Sequence, residues 1–209
     1  MAAFRWNSIA SAYCRAGLAT ILRNAAVLCA VAAAAPAIAT GIPRCVPMEL
    51  PVARIEDPPS QYVAFCDRQA GACALDGDPV LDWTIELHRQ LEAVNAAVNA
   101  EIEFIPDWEN IGREEFWSYP ADGAGDCEDF ALEKRRRLVE AGLPGAALTC
   151  AIAFHEVQFF PHAVLLAETT SGTWVLDNLY DDLRCWDAVP YFYTRRELPD
   201  GRWTRFLQP

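Results

Sequence analysis

The sequence predicts an α+β domain whose helices pack on one side of an antiparallel sheet. Three observations carry this. Apolar residues between 81 and 98 keep near-helical spacing, a second amphipathic segment covers 125–142, and beyond residue 142 the pattern changes to alternation and short continuous apolar runs. Helices followed by a run of strands, rather than interleaved with them, is the order of an α+β chain. At 209 residues the chain holds one domain with enough core to fold without staples.

Residues 1–39 contain no acid but carry Arg5, Arg15 and Arg23, then an apolar run over 25–35 and the small-x-small pattern Ala37-Ile38-Ala39. This is the layout of a cleaved signal peptide. The apolar run is short for a membrane span, the reading that competes with it. No cysteine follows the small residue that a lipoprotein signal requires, Leu28 preceding Cys29. The expectation is a periplasmic or secreted protein that is free of the membrane once the signal is removed. Loss of three arginines and no acid takes the formal net charge from −12 to −15. Such acidity, with no basic patch beyond one helix end, argues against a nucleic-acid partner.

Residues 40–60 contain five prolines and read as an extended leader, leaving 61–209 as the folded domain. Residues 62–66 read as a short strand. Asp78-Pro79 supplies a cap and a first-turn proline, so a helix is expected from there to about Asn99, with Leu81, Ile85, Leu91, Val94 and Val98 along it. His88 within it reads as a solvated or capping histidine. Residues 102–122 read as an irregular, aromatic-rich approach, in which Trp117 and Tyr119 are candidates for the wall of a cleft.

The segment 125–142 reads as a loop that delivers Cys127 to the first turn of a helix. Asp126 is a good N-cap, Glu128 and Asp129 suit the positive end of the helix dipole, and the basic run 134–137 followed by Gly142 suits the other end. A cysteine so placed has its thiolate stabilised, and a pKa below the ordinary value of about 8.5 is expected; the flanking acids oppose that unless a cation neutralises them. A buried structural cysteine, or half of a disulfide, is the plainer reading of Cys127. Strands are expected over 147–154, 163–167 and 173–179. A last hairpin over 191–198 and 202–207 turns at Pro199-Asp200-Gly201.

Of eight cysteines, Cys14 and Cys29 leave with the signal. In an oxidising compartment the best pair is Cys66 with Cys73, which flank a small loop containing Gly71. Cys150 with Cys185 is the second candidate pair, leaving Cys45 odd and Cys127 available for chemistry. A thiolate enzyme needs a base beside the sulfur and a group that orients the base. His162 opens an apolar strand, and Asp177 closes the next one. A tight turn at Ser171-Gly172 pairs residue 166 with Asp177 and leaves His162 four residues out of register, whereas a longer loop sets the two opposite each other. A zinc site from Cys127, His162 and Asp177 is disfavoured, because no two of them have close local spacing.

Three blocks in this order, Gly-Asp-Cys-Glu-Asp-Phe-Ala-Leu-x-Lys, His-Ala-Val-Leu and Leu-Asp-Asn, resemble the bacterial transglutaminase-like cysteine peptidases. The likeness runs from about Asn95 to the C-terminal hairpin and includes Trp-Ser-Tyr-Pro-Ala-Asp-Gly before the cysteine block. It implies an exported enzyme with a papain-like transglutaminase core, in which Cys127 is the nucleophile, His162 the base and Asp177 the orienter. It also implies calcium bound through Asp126 and Glu128, and a protein substrate, which in one branch is a large cell-surface adhesin. Nothing matches a dedicated calcium loop such as an EF-hand. Two other readings share the fold: a catalytically silent or inhibitor-regulated binding module, and an amidase or transglutaminase using the same three residues.

Overall fold

The computed structural model describes residues 42–120 and 122–207, so the expected signal peptide lies outside the described residues. In chain order they form β1 (Val52–Glu56), α1 (Ser60–Arg68), α2 (Ile85–Glu101), β2 (Glu103–Phe104), α3 (Asp107–Asn110), β3 (Ala124–Gly125), α4 (Cys127–Glu140) and a short 3-10 turn (Gly145–Ala147). Then come β4 (Leu148–His155), β5 (Phe160–Thr169), β6 (Gly172–Asp177), β7 (Tyr180–Cys185), β8 (Tyr191–Glu197) and β9 (Trp203–Phe206). Seven strands form one antiparallel sheet in the order β1-β9-β8-β4-β5-β6-β7, and β2 and β3 make a small parallel pair. The class is the expected α+β.

Alternation along the strands splits the core in two. Leu148 and Cys150 of β4, Leu165 and Ala167 of β5, and Trp174 and Leu176 of β6 face the helices, meeting Tyr62 and Phe65 of α1, Leu87 and Leu91 of α2, and Leu132 and Leu138 of α4. The alternate residues Ala151, Ala153, Val164, Leu166 and Val175 face the other way and are covered by Met48 and Leu50 of the leader together with Val189. A buried ion pair fastens α4 to the sheet: Arg135 Nη1 lies 2.6 Å from Glu197 Oε2, and that same oxygen accepts the Cys150 N–H at 3.0 Å. Tyr62 on α1 donates its hydroxyl to the other Glu197 oxygen.

Several local expectations are corrected. Residues 62–66 are helical, because Tyr62 and Phe65 sit three apart and bury on one face; a five-residue apolar run does not distinguish helix from strand. The long helix begins at Ile85, where the Thr84 hydroxyl caps by accepting the Leu87 N–H at 3.1 Å. Residues before it instead dock on the β5–β6 hairpin, Leu81 donating to Glu168 and accepting from Thr170. The leader is not wholly irregular, since Val52–Glu56 pairs with β9 as an edge strand between proline-rich flanks. β7, an acidic strand with only Leu183 firmly buried, was not expected at all.

Disulfides join Cys66 to Cys73 and Cys45 to Cys185. The second overturns the expected Cys150–Cys185 pairing and the odd Cys45. Cys150 points into the helix-side core and is a free, buried thiol, while the leader runs back across the sheet to bring Cys45 to β7. Its passage is tight. A Cβ on Gly172 would stand 2.5 Å from the Cys45 carbonyl carbon, and Gly172 has φ +100°, so the position excludes other residues twice over.

Candidate active site

α4 presents Cys127 at its first residue, as expected, but Asp126 does not cap with its side chain. Asp126 Oδ2 instead accepts the Asp107 N–H at 3.1 Å, drawing the Pro106–Asp107 segment to the helix start. Gly125 precedes it because Asp129 folds back: a Cβ there would meet Asp129 Oδ2 at 2.7 Å. The sulfur of Cys127 lies 3.4 Å from Glu128 Oε2 and receives the backbone N–H of Ala163, the residue after His162.

His162 and Asp177 meet, by a register between the two alternatives. The β5–β6 ladder pairs Thr169 with Gly172 and Leu165 with Leu176, so Asp177 falls two residues short of His162, on the same face. Side chains of such diagonal neighbours still reach one another. His162 Nε2 is 2.8 Å from Asp177 Oδ1, and both side chains are buried. Oδ1 also accepts the Leu179 N–H at 3.0 Å, and Tyr191 donates its hydroxyl to Oδ2. Burial would raise the pKa of Asp177, but the hydrogen bonds and charge of His162, with the bonds from Tyr191 and Leu179, hold it below the ordinary range.

Cys127 and His162 line one cavity of about 730 Å³. Its walls are largely apolar and include Phe104, Trp108, Trp117, Phe160 and Leu179. Of the two aromatics expected as cleft walls, Trp117 reaches the cavity from the core. Tyr119 does not line it and packs edge-on against Phe65 instead. The wall residues Phe104 and Trp108, at 56% and 65% exposure, stand at its open side.

The electrostatics contradict the expected low thiol pKa. Burial raises Cys127 well above its usual value, and Glu128 and Asp126 raise it further, against the smaller lowering by the Ala163 N–H. The same crowding raises the acids. Burial and then Asp126 push Glu128 up to about 10, and burial pushes Asp129 to about 8 and Asp107 to about 6.

These acids suit a hard cation. Asp107, Asp126 and Asp129 offer oxygens within 4.8 Å of one another, and Asp126, Cys127 and Glu128 form a second such group. Asp126 Oδ1 and Glu128 Oε1 are buried without a hydrogen-bond partner, which is costly unless something positive meets them. Carboxylate oxygens of this kind are calcium ligands. Asp107 could not be found from sequence, since it lies 19 residues before Asp126 and joins it only through the β2–β3 pairing.

A structure of Legionella pneumophila LapG is 25% identical, with a TM-score of 0.50 over 69% of this chain and 77% of that one. Calcium-bound LapG scores 0.49 at 25% identity with the same coverage, and EGTA-treated LapG 0.48 at 26%, over 69% and 75%. No curated protein matches the chain. The profile of one family, bacterial transglutaminase-like cysteine proteinases, matches residues 52–208. Spanning the whole described sheet and the helix that carries Cys127, that match makes the chain a member of the family and a cysteine peptidase.

Proposed function

We propose that this peptidase cleaves exported proteins through a Cys127 nucleophile, with His162 as general base and Asp177 orienting the imidazole. The observation that carries it is that Cys127, at a helix N-terminus, and His162, hydrogen-bonded to Asp177, line one cavity. Asp177 holds Nε2, so Nδ1 is the nitrogen left for the thiol proton. His162 takes that proton as sulfur attacks the peptide carbonyl, and the oxyanion takes a hydrogen bond from the Cys127 N–H, where the helix dipole also favours negative charge. The tetrahedral intermediate then collapses. His162 gives the proton to the departing amine, leaving a thioester on Cys127. Water, deprotonated by His162, hydrolyses the thioester and restores the thiol.

The apolar walls suit an extended segment with apolar side chains, and Glu115, Asp126 and Glu128, the acidic residues of the lining, offer acidic side chains no positive partner. Asp126 and Glu128, with Asp107 and Asp129, are the residues that would hold calcium. Bound there, the ion supplies positive charge that offsets the carboxylates and favours the thiolate. Two disulfides support a periplasmic or secreted location.

The test is incubation of the mature protein with exported proteins of its own cell, with and without calcium. Cleavage is expected to vanish in Cys127→Ala and on chelation, with calcium but not magnesium restoring it. Equal cleavage by Cys127→Ala overturns the nucleophile, and full activity after exhaustive chelation overturns the metal.

A further inference from the structure

Asn95 occupies a core position of α2, one turn after the buried Leu91, and is itself fully buried. An apolar residue there would bury at no polar cost. Its amide is spent instead on one short segment of the sheet. Oδ1 accepts the Asp177 N–H at 2.9 Å, and Nδ2 donates to the carbonyls of Tyr180 at 2.7 Å and Asp181 at 3.0 Å. The next turn repeats the pattern, with Asn99 Nδ2 reaching the Asp177 carbonyl at 2.9 Å, the Tyr180 carbonyl at 3.1 Å and Asp181 Oδ1 at 3.1 Å.

Both backbone polar groups of Asp177 are therefore held by amides from a helix. The reason is visible in the sheet. The β5–β6 register runs only as far as Leu176, and the β6–β7 pairing is irregular between Val175 and Asp177. Asp177 has left the β5 ladder and keeps only Tyr180 as a ladder partner, beyond the irregularity, and a carboxylate at such a strand end does not keep one angle to an imidazole unless its backbone is held. The amide orientation of Asn95 is itself unambiguous, because an N–H on one side and two carbonyls on the other admit only one placement of its oxygen and nitrogen.

We propose that Asn95 and Asn99 are positioning residues for the peptidase reaction: from α2 they clamp the Asp177 backbone so that its carboxylate holds His162 in the tautomer with the proton on Nε2. The inference rests on the reading of Cys127, His162 and Asp177 given above. It goes beyond closure of the β6–β7 turn, since a purely structural clamp would affect stability without touching the imidazole. Besides His162, the groups acting on the Asp177 side chain are the Tyr191 hydroxyl, the Leu179 N–H and the buried Lys134 side chain of α4, and none of them bonds its backbone.

The experiment combines steady-state kinetics with ¹⁵N chemical shifts of the imidazole at fixed pH, on wild type, Asn95→Ala and Asn99→Ala. The chain has three histidines, so His162 is assigned by single substitution. The expected result for Asn95→Ala is a kcat at least tenfold lower, KM within about twofold, and His162 shifts moving from one tautomer to a mixture. Asn99→Ala, which frees only the carbonyl side, should move both readouts the same way by a smaller amount. Unchanged His162 shifts in folded Asn95→Ala overturn the proposal, even if kcat falls. Should Asn95→Ala not fold, Asn99→Ala decides: a fall in kcat with a shifted imidazole supports the clamp, and wild-type values for both overturn it. Cys127→Ala in the same assay keeps the two readings apart. If it cleaves normally, the nucleophile assignment fails; if it is inert while both asparagine variants leave His162 unmoved, only the clamp fails.

Discussion

Tyr191 donates its hydroxyl to the Asp177 oxygen that His162 does not use. The carboxylate is thereby bonded on both oxygens, from β5 on one side and β8 on the other. Tyr191→Phe removes one bond to a charged group, typically about 1.5–3 kcal/mol. Asp177 is held below its unfolded pKa, so its contribution to stability is present above about pH 4 and is lost as pH falls through the lower folded value. The variant loses part of that contribution, so its deficit in melting temperature should be widest above about pH 4 and should narrow as pH falls and the carboxyl becomes protonated in both proteins. Parallel curves would show that the hydroxyl does not act on the carboxylate.

Lys134 is buried on α4 with no hydrogen-bond partner for Nζ, and burial lowers its pKa to about 7 against the attraction of Asp177 and Asp181. Between pH 7 and about 10.4 the unfolded chain binds a proton that the folded one does not, so stability rises with pH across that window. Lys134→Met should be more stable than wild type at pH 6–7, by on the order of a few kcal/mol, and the advantage should shrink towards pH 10. Urea midpoints at several pH values measure it, and an advantage independent of pH would mean that packing, not charge, is responsible.

The Arg135–Glu197 pair joins α4 to β8 in a fully buried setting. Glu197→Ala strands the guanidinium and removes two further hydrogen bonds, from the Tyr62 hydroxyl and the Cys150 N–H, and about 3–5 kcal/mol of stability should go with it. The exposed Arg137–Glu101 pair is a control of similar length, 2.7 Å, where Glu101→Ala should cost far less. Equal losses in urea denaturation would contradict this account.

Cys127 should react with iodoacetamide only at alkaline pH in protein stripped of divalent cations, because burial, Glu128 and Asp126 all oppose the thiolate. Glu128→Gln removes one of the two carboxylates and should shift the profile to lower pH, as should added calcium in the wild type. A stripped wild-type thiol that labels readily at pH 7 would refute this.

Much of this molecule was legible in the sequence because its signals are local. Glycine, acid, cysteine and a helical stripe placed Cys127 at a helix start, and alternation with apolar runs located five of the nine strands among the described residues. What was not legible depends on long-range partners. Residues 62–66 carry too few positions to reveal a period, and β7 has too few apolar residues to reveal any. The leader becomes a strand only because β9 offers it an edge. The thiol's pKa was misjudged for a related reason. A dipole can be inferred from one helix, but burial depends on everything packed around it. The partners of Asn95 were equally out of reach, since only the fold brings the Asp177 N–H and the start of β7 against it.

The path of the leader has a consequence for how the sheet opens. One short stretch of chain is bonded to β7 through Cys45 and Cys185 at one margin and hydrogen-bonded to β9 as β1 at the other. Outermost strands of an open sheet ordinarily fray independently, each exchanging its amides on its own schedule. Here the two margins share a tether, and releasing either slackens the other. Amide exchange at β7 and at β1–β9 should therefore slow and quicken together, and reduction of Cys45–Cys185 should release both margins at once.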